Sequence, residues 1–215
     1  MKRFTLYGSP HSLPTYKVAL MLRLSGEPFS FRYLSFQKGM HKTPEFLALS
    51  RWGQVPVLVD GERVYLQSAS IVEHLAETLG RFQGPGPAAR QAAREWLYWD
   101  VDVLFPPIFN CYAVQLGQRK LLPIDVEPAI ADYHRGRAEA ALSVLDSHLA
   151  PRNYLCATEP TIADLFCYGD VAFAQICAFD LNRWTNVALW SKRVTALAGF
   201  EPPFELLAME DAELA

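Results

Sequence analysis

Residues 41–77 read HKTPEFLALSRWGQVPVLVDGERVYLQSASIVEHLAE, and this stretch holds a short helix, a hairpin and a second helix. Thr43 is an N-cap with Pro44 in the first turn of a helix over 43–50. VPVLV at 55–59 and RVYL at 63–66 flank Asp60-Gly61, which supplies the positive backbone angles a tight hairpin turn requires. Ser68 then caps a helix running to about Leu79. Pro56 stands at the head of an apolar strand, where it removes a ladder hydrogen bond. Two readings fit it. One is an edge strand with an ordinary trans proline. The other is a cis bond after Val55 that leaves the Val55 N–H and C=O outside regular pairing, open to an extended peptide ligand.

Working outward, residues 3–7 (RFTLY) alternate as a strand, the turn Gly8-Ser9-Pro10-His11-Ser12 follows, and YKVALMLRLSG has helical apolar spacing with a glycine stop. PFSFRYLSF at 28–36 reads as the second strand. The order over residues 1–80 is therefore β-α-β-α-β-β-α, an open sheet with covering helices. RFQGPGPA is dense in Gly and Pro and marks a linker over 81–87. From 88 to 215 only helical periodicity appears, over roughly 88–117, 126–149, 161–178, 187–198 and a short helix near 203–209. The chain is thus expected to be an α/β domain followed by an all-α domain.

The 215 residues are 51% hydrophobic and 20% charged, as in ordinary folded proteins. Net charge is only -3, so neither nucleic acid nor an anionic membrane is an expected partner. Residues 1–80 hold nine Lys/Arg and six Asp/Glu, the remainder eleven and seventeen. A first domain of positive balance suits a small anionic ligand. No run approaches the roughly 20 apolar residues of a membrane span, and the N-terminus shows no secretory signal, so a cytoplasmic location is expected. Cys111, Cys156, Cys167 and Cys177 show neither CxxC spacing nor a paired histidine pattern; they read as idle thiols, and no metal is expected.

Three further features carry chemistry, each with a plainer reading beside it. Gln67-Ser68 opens a helix directly after the hairpin, where unpaired N–H groups welcome a carboxylate; Ser68 alone also reads as a simple cap. The loop Gly8–Ser12 ends a strand and opens a helix, the place where ligands collect in open sheets, and a serine hydroxyl there can donate to a thiolate. Ser12, Ser9 and, as a base, His11 are the candidates, and a serine before a helix is also an ordinary cap. His41-Lys42 can grip a carboxylate or be surface charge.

Taken together, these residues resemble the cytosolic glutathione transferases. The 41–77 stretch is similar to the family's glutathione-site segment, especially that of its serine-type phi class, and LYGSPHSLPTYKVALML is similar to the N-terminal pattern of serine-type members. The resemblance implies a thioredoxin-like α/β N-terminal domain with a mixed four-stranded sheet. It also implies that Ser12 activates the thiol, and that Val55, with Pro56 behind it, pairs its backbone with the cysteinyl unit of glutathione. By the same resemblance Gln67 and Ser68 hold the γ-glutamyl end, and His41, Lys42 and Gln54 surround the glycyl end or the tripeptide backbone. PTIADL at 160–165 is similar to the family's N-capping box, Thr161 being the cap and Asp164 reaching back to it.

The implied activity is glutathione transfer: glutathione serves as co-substrate, and its thiolate attacks a small electrophile in an apolar pocket. Leu13, Trp96, Trp99 and Tyr112 are candidate walls of that second-substrate pocket; aromatic residues at helical spacing are also ordinary core. A homodimer is implied as well. Three departures stand out: Gln67 replaces a usual acidic residue, Ser50-Arg51-Trp52 replaces Asn-Pro-Phe near a dimer contact, and Ala69-Ser70 replaces a frequent Arg-Ala. The absence of a cysteine before Cys111 argues against chemistry that needs a cysteine nucleophile in the first loop. Peroxidase, isomerase or dehalogenase use of the same thiolate stays open, as does a non-catalytic binding protein on this fold.

Overall fold

A computed structural model describes residues 2–119 and 127–207. One compact unit holds the described residues up to Arg81 together with those from Ala198 on; the other runs Phe82–Leu197.

In the first unit β1 (Phe4–Gly8), α1 (Leu13–Leu24), β2 (Phe29–Tyr33), α2 (Pro44–Leu49), β3 (Val57–Asp60), β4 (Arg63–Leu66) and α3 (Ser68–Leu79) follow the expected order. The sheet is four-stranded and mixed, ordered β2-β1-β3-β4, with β1 parallel to β2 and antiparallel to β3. Gly61 at φ 61° closes the hairpin between β3 and β4, as Asp-Gly demands. Apart from Pro14 and Arg23, α1 is buried almost all round, because it packs on β1, on α3 and on a C-terminal helix. Phe4 and Leu6 of β1, Leu58 of β3 and Ile71 and Leu75 of α3 are likewise fully buried.

Sequence spacing misses several boundaries in this unit. The second strand ends at Tyr33 rather than continuing to 36, and a 3-10 turn over Met40–Lys42 precedes α2. Ser68 is the first residue of α3, not its cap. Gln67 is the cap, in the left-handed half of backbone space at φ 67°, and its carbonyl accepts from the Ile71 N–H at 2.9 Å. The C-terminal segment, assigned by periodicity to the helical domain over 88–215, belongs here instead. Its helix α9 (Pro203–Leu206) packs on α1, and the Tyr16 hydroxyl donates to the Glu201 carbonyl at 3.0 Å. The predicted 208–209 end of that helix lies outside the described residues.

The second unit is all-α: α4 (Gly86–Trp99), α5 (Phe105–Gln118), α6 (Pro128–Leu149), α7 (Ile162–Ile176) and α8 (Thr185–Thr195). The helix expected over 88–117 is two helices separated by a π-helical turn at Asp100–Leu104. Pro106 and Pro107 lack the N–H an uninterrupted helix needs and sit instead in the first turn of α5. Helix α4 starts at Gly86, inside the predicted 81–87 linker, and the Phe82 carbonyl is tied to the Ile162 N–H at 2.8 Å. The predicted start of α6 at 126 lies outside the described residues. Helix α8 begins earlier than its apolar spacing indicates, because the Asp146 carboxylate on α6 accepts from the Asn186 and Val187 N–H groups at 2.7 and 3.0 Å.

Helix α7 is buried from Ile162 through Ala174 and forms the core of this unit. Its capping box is present: Asp164 Oδ2 accepts from the Thr161 N–H at 2.8 Å. Asp164 Oδ1 also accepts from the Leu155 N–H and from the Trp190 indole, at 2.8 and 2.9 Å. One carboxylate thus joins α7, α8 and the segment before α7. Burial pushes the Asp164 carboxyl pKa up, and hydrogen bonds from Thr161, Leu155 and Trp190 act against that shift. The four cysteines are free, and burial pushes the Cys156 and Cys177 thiols up to about 12. Among the described residues no helix is long and apolar enough to cross a membrane.

Candidate active site

Strand register decides where the candidate residues meet. Tyr7 of β1 faces Val57 of β3, and Val57 faces Leu66 of β4. Gly8, Pro56 and Gln67 are the next residues on each strand, so the loop to Ser12, the segment before β3 and the start of α3 share one end of the sheet. Gly8 is also paired with Tyr33, so the run from Leu34 toward His41 leaves the sheet at that same end. Four stretches far apart in sequence are thereby gathered at one edge.

Each stretch is held there by identifiable contacts. Ser12 caps α1, its Oγ accepting from the Thr15 N–H at 3.2 Å, and is 7% exposed. Accepting leaves its O–H free to donate. Ser9, 2% exposed, accepts from the His11 N–H with its hydroxyl and from the Ser12 N–H with its carbonyl, at 3.3 and 3.0 Å. The Val55–Pro56 bond is cis. Val55 lies before the ladder, and among the described residues no backbone hydrogen bond uses its N–H or C=O. Its side chain packs with Met40 and Leu66 on the buried Leu34, Phe46 and Val57, a small core that binds the 3-10 turn and α2 to the sheet.

Gln54 is pinned by Ser50, one of the positions that depart from the family pattern. The Ser50 hydroxyl, at the end of α2, accepts from the Gln54 N–H at 3.1 Å and donates to the Gln54 carbonyl at 2.9 Å. A serine five residues before the strand-leading Val55-Pro56 was the only available signal. The Gln54 side chain accepts from Gln67 Nε2 at 3.1 Å, which joins the loop before β3 to the cap of α3. Gly53 lets this loop lie against the 3-10 turn: a Cβ there would stand 2.8 Å from the His41 carbonyl oxygen. His41 meets Phe36 edge-on at 5.2 Å, and its buried Nδ1 has no partner among the described residues. Burial, and then the Lys42 charge, hold its pKa below the ordinary histidine value. Lys42 is exposed. Ser68, in the first turn of α3, commits its hydroxyl to no hydrogen bond among the described residues.

The expected pocket walls fare differently. Leu13 is 0% exposed in the core of the first unit and Tyr112 2% exposed against Phe173 of α7, at 5.0 Å and edge-on. Burial pushes the Tyr112 hydroxyl up to about 12. Trp96 and Trp99, both partly exposed, meet edge-on at 4.9 Å, and Trp96 also packs edge-on against His148 at 4.7 Å.

A thioredoxin-like βαβαββα unit with a four-stranded mixed sheet, followed by an all-helical unit, defines the class of two-domain thioredoxin-fold proteins. Comparison with known proteins narrows it. The family models for the glutathione S-transferase N-terminal and C-terminal domains match residues 11–78 and 127–193. Glutathione S-transferase 3 of Zea mays is 33% identical over 169 residues, covering 76% of this chain and 75% of that protein. Among solved structures, a glutathione S-transferase of Xanthobacter autotrophicus superposes with a TM-score of 0.84 at 31% identity, covering 94% of this chain and 98% of that one. A possible glutathione S-transferase from Rhodopseudomonas palustris gives 0.83 at 30% identity, over 94% and 97%. The chain belongs to the glutathione S-transferase family.

Proposed function

We propose that this chain is a glutathione transferase in which Ser12 stabilises the glutathione thiolate for attack on an electrophilic, largely apolar second substrate. The observation that carries this reading is the strand register, which brings Ser12, the unpaired Val55 backbone and the Gln67-Ser68 helix start to one end of the sheet. The residues present fit the tripeptide. Val55 offers one N–H and one C=O to the cysteinyl unit as an added strand would use them. Gln67 and Ser68, at the N-terminus of α3, receive the γ-glutamyl carboxylate. The orphan His41 Nδ1, the Lys42 ammonium and Gln54 receive the glycyl end.

A free thiol near pKa 8.5 is mostly protonated at neutral pH, and each unit of depression requires about 1.4 kcal/mol. A hydrogen bond to a charged group supplies roughly 1.5–3 kcal/mol, and a helix N-terminus about 0.3–2 kcal/mol more. The Ser12 hydroxyl and the N-terminus of α1 together therefore account for a shift of about two units. The thiol proton leaves to solvent, the sulfur–carbon bond forms, and the leaving group departs with its electron pair. The proposal extends to a cytoplasmic homodimer with a detoxifying role, as the family resemblance implies.

Glutathione calorimetry and conjugation of 1-chloro-2,4-dinitrobenzene, on wild type, Ser12→Ala and Ser68→Ala, test it. Wild type binds and conjugates, Ser12→Ala binds but conjugates poorly, and Ser68→Ala binds weakly. A wild-type protein that does not bind glutathione overturns the reading.

A further inference from the structure

Gly8 ends β1, and nothing in its own backbone calls for a glycine. It pairs with Tyr33 in the parallel ladder, its carbonyl accepts from the Leu34 N–H at 2.7 Å, and its φ is not positive. What excludes a larger residue is Thr15 of α1. A Cβ on Gly8 would stand 2.6 Å from Thr15 Oγ1 and 3.0 Å from Thr15 Cβ, and nearer still to Thr15 Cγ2. The first turn of α1 thus rests its threonine directly on the last residue of β1.

Thr15 is 0% exposed, and its Oγ1 is hydrogen-bonded to nothing among the described residues, not even to a carbonyl one turn earlier, where helical threonines commonly bond. A buried hydroxyl without a partner is destabilising. The side chain therefore acts by its branched shape, which is stiff about χ1 in a helix. Its backbone makes the other half of the link, because the Thr15 N–H donates to Ser12 Oγ at 3.2 Å. An unbroken run of contacts leads from β2 through Gly8 and Thr15 to the Ser12 hydroxyl. Val55 is referred to the same strand, since Tyr7 of β1 faces Val57 of β3.

We propose that Thr15 is a positioning residue: seated on Gly8, it fixes where the Ser12 hydroxyl stands relative to β1, and so relative to the sulfur that the Val55 backbone presents. This rests on the proposed transferase reading with Ser12 as thiol activator. A hydrogen bond weakens steeply as its angle closes or its length grows. A helix that settles too close to β1, or is pushed off it, stabilises the thiolate less without loosening the tripeptide. The Gly8–Thr15 contact controls the acidity of the bound thiol and not the affinity for glutathione.

The test uses the full chain as wild type, Ser12→Ala, Thr15→Ala, Thr15→Val and Gly8→Ala. Calorimetry reads glutathione binding, and the pH profile of kcat/KM for 1-chloro-2,4-dinitrobenzene, with the ultraviolet absorbance of the bound thiolate, reads thiol acidity. Thr15→Ala binds glutathione as wild type does, loses about three- to tenfold in kcat at neutral pH, and titrates its thiol about half to one pH unit higher. Gly8→Ala shifts the titration the same way. Thr15→Val keeps the shape without the hydroxyl, rescues rate and titration to within about twofold of wild type, and raises Tm. A Thr15→Ala protein, or a folded Gly8→Ala protein, whose thiol titrates as in wild type overturns the proposal, because the contact would then hold only the fold. So does a Thr15→Val protein as impaired as Thr15→Ala, which would give the role to the hydroxyl. Failure of the transferase reading looks different: wild type does not bind glutathione, or Ser12→Ala titrates its thiol as wild type does. Either result overturns this proposal together with that reading.

Discussion

Gln67 Nε2 donates to Gln54 Oε1 at 3.1 Å, joining the cap of α3 to the loop that precedes the cis proline. Gln67 makes this contact from φ 67° and ψ 117°, a conformation in which a side chain is strained.

That strain predicts a trade between stability and binding. Gln67→Gly removes the steric cost and raises the unfolding free energy by about 0.5–1 kcal/mol, read as a higher urea midpoint. The same change removes the amide proposed for the γ-glutamyl end, so calorimetry finds glutathione bound about three- to tenfold more weakly. A lower midpoint in Gln67→Gly would show that the backbone there is not strained.

Ser12 and Ser9 are separable by their two duties. Ser12→Ala loses the cap on Thr15, about 1 kcal/mol of stability, and slows conjugation about 10- to 100-fold while glutathione still binds. Ser12→Thr keeps cap and hydroxyl and loses less stability. Ser9→Ala, at the more deeply buried position, leaves kcat within about threefold. A larger kcat loss in Ser9→Ala than in Ser12→Ala would move the thiol-activating role to Ser9.

Asp60 at the hairpin predicts a pH dependence. Arg3 donates to both of its carboxylate oxygens, at 2.7 and 2.8 Å, and His74 Nε2 lies 3.4 Å away. The Arg3 hydrogen bonds hold the Asp60 pKa below its ordinary 3.8 against a partial burial that raises it. A depressed carboxyl binds fewer protons folded than unfolded, so its contribution is full above 3.8 and is lost as pH falls through the lowered value. Half-exposed Arg3 is screened by solvent, so wild type exceeds Asp60→Asn by only about 1 kcal/mol at neutral pH. Denaturation curves taken across the acid range should converge; a gap that persists at the lowest pH would assign the effect to packing.

Asp164 sets the stability of the helical unit. Asp164→Ala strands the Leu155 and Thr161 N–H groups and the Trp190 indole in the core, and costs about 3–5 kcal/mol. Trp190→Phe removes one donor and some volume and costs about 1–3 kcal/mol. Equilibrium urea unfolding reads both, and the two losses together fall short of additive because they share one bond. Additive losses would mean that the Trp190–Asp164 bond contributes nothing.

What the sequence determined by itself is what depends on near neighbours. Thr43 caps α2, Asp60-Gly61 turns the hairpin, Thr161 and Asp164 box the start of α7, and the strand–helix order of the first unit follows from period alone. These are contacts within a few residues, where residue type dictates backbone angle. Only the tertiary structure decided the rest. Asp146 sets the start of α8 from another helix, and Ser50 holds Gln54 across a loop. The segment carrying α9 returns to the first unit, and Tyr112 of α5 meets Phe173 of α7. Apolar spacing reports that one face of a helix is covered and is silent about what covers it. Likewise a serine hydroxyl or a carboxylate finds its partner only after the chain has closed, because that partner is chosen by distance in space and not along the sequence.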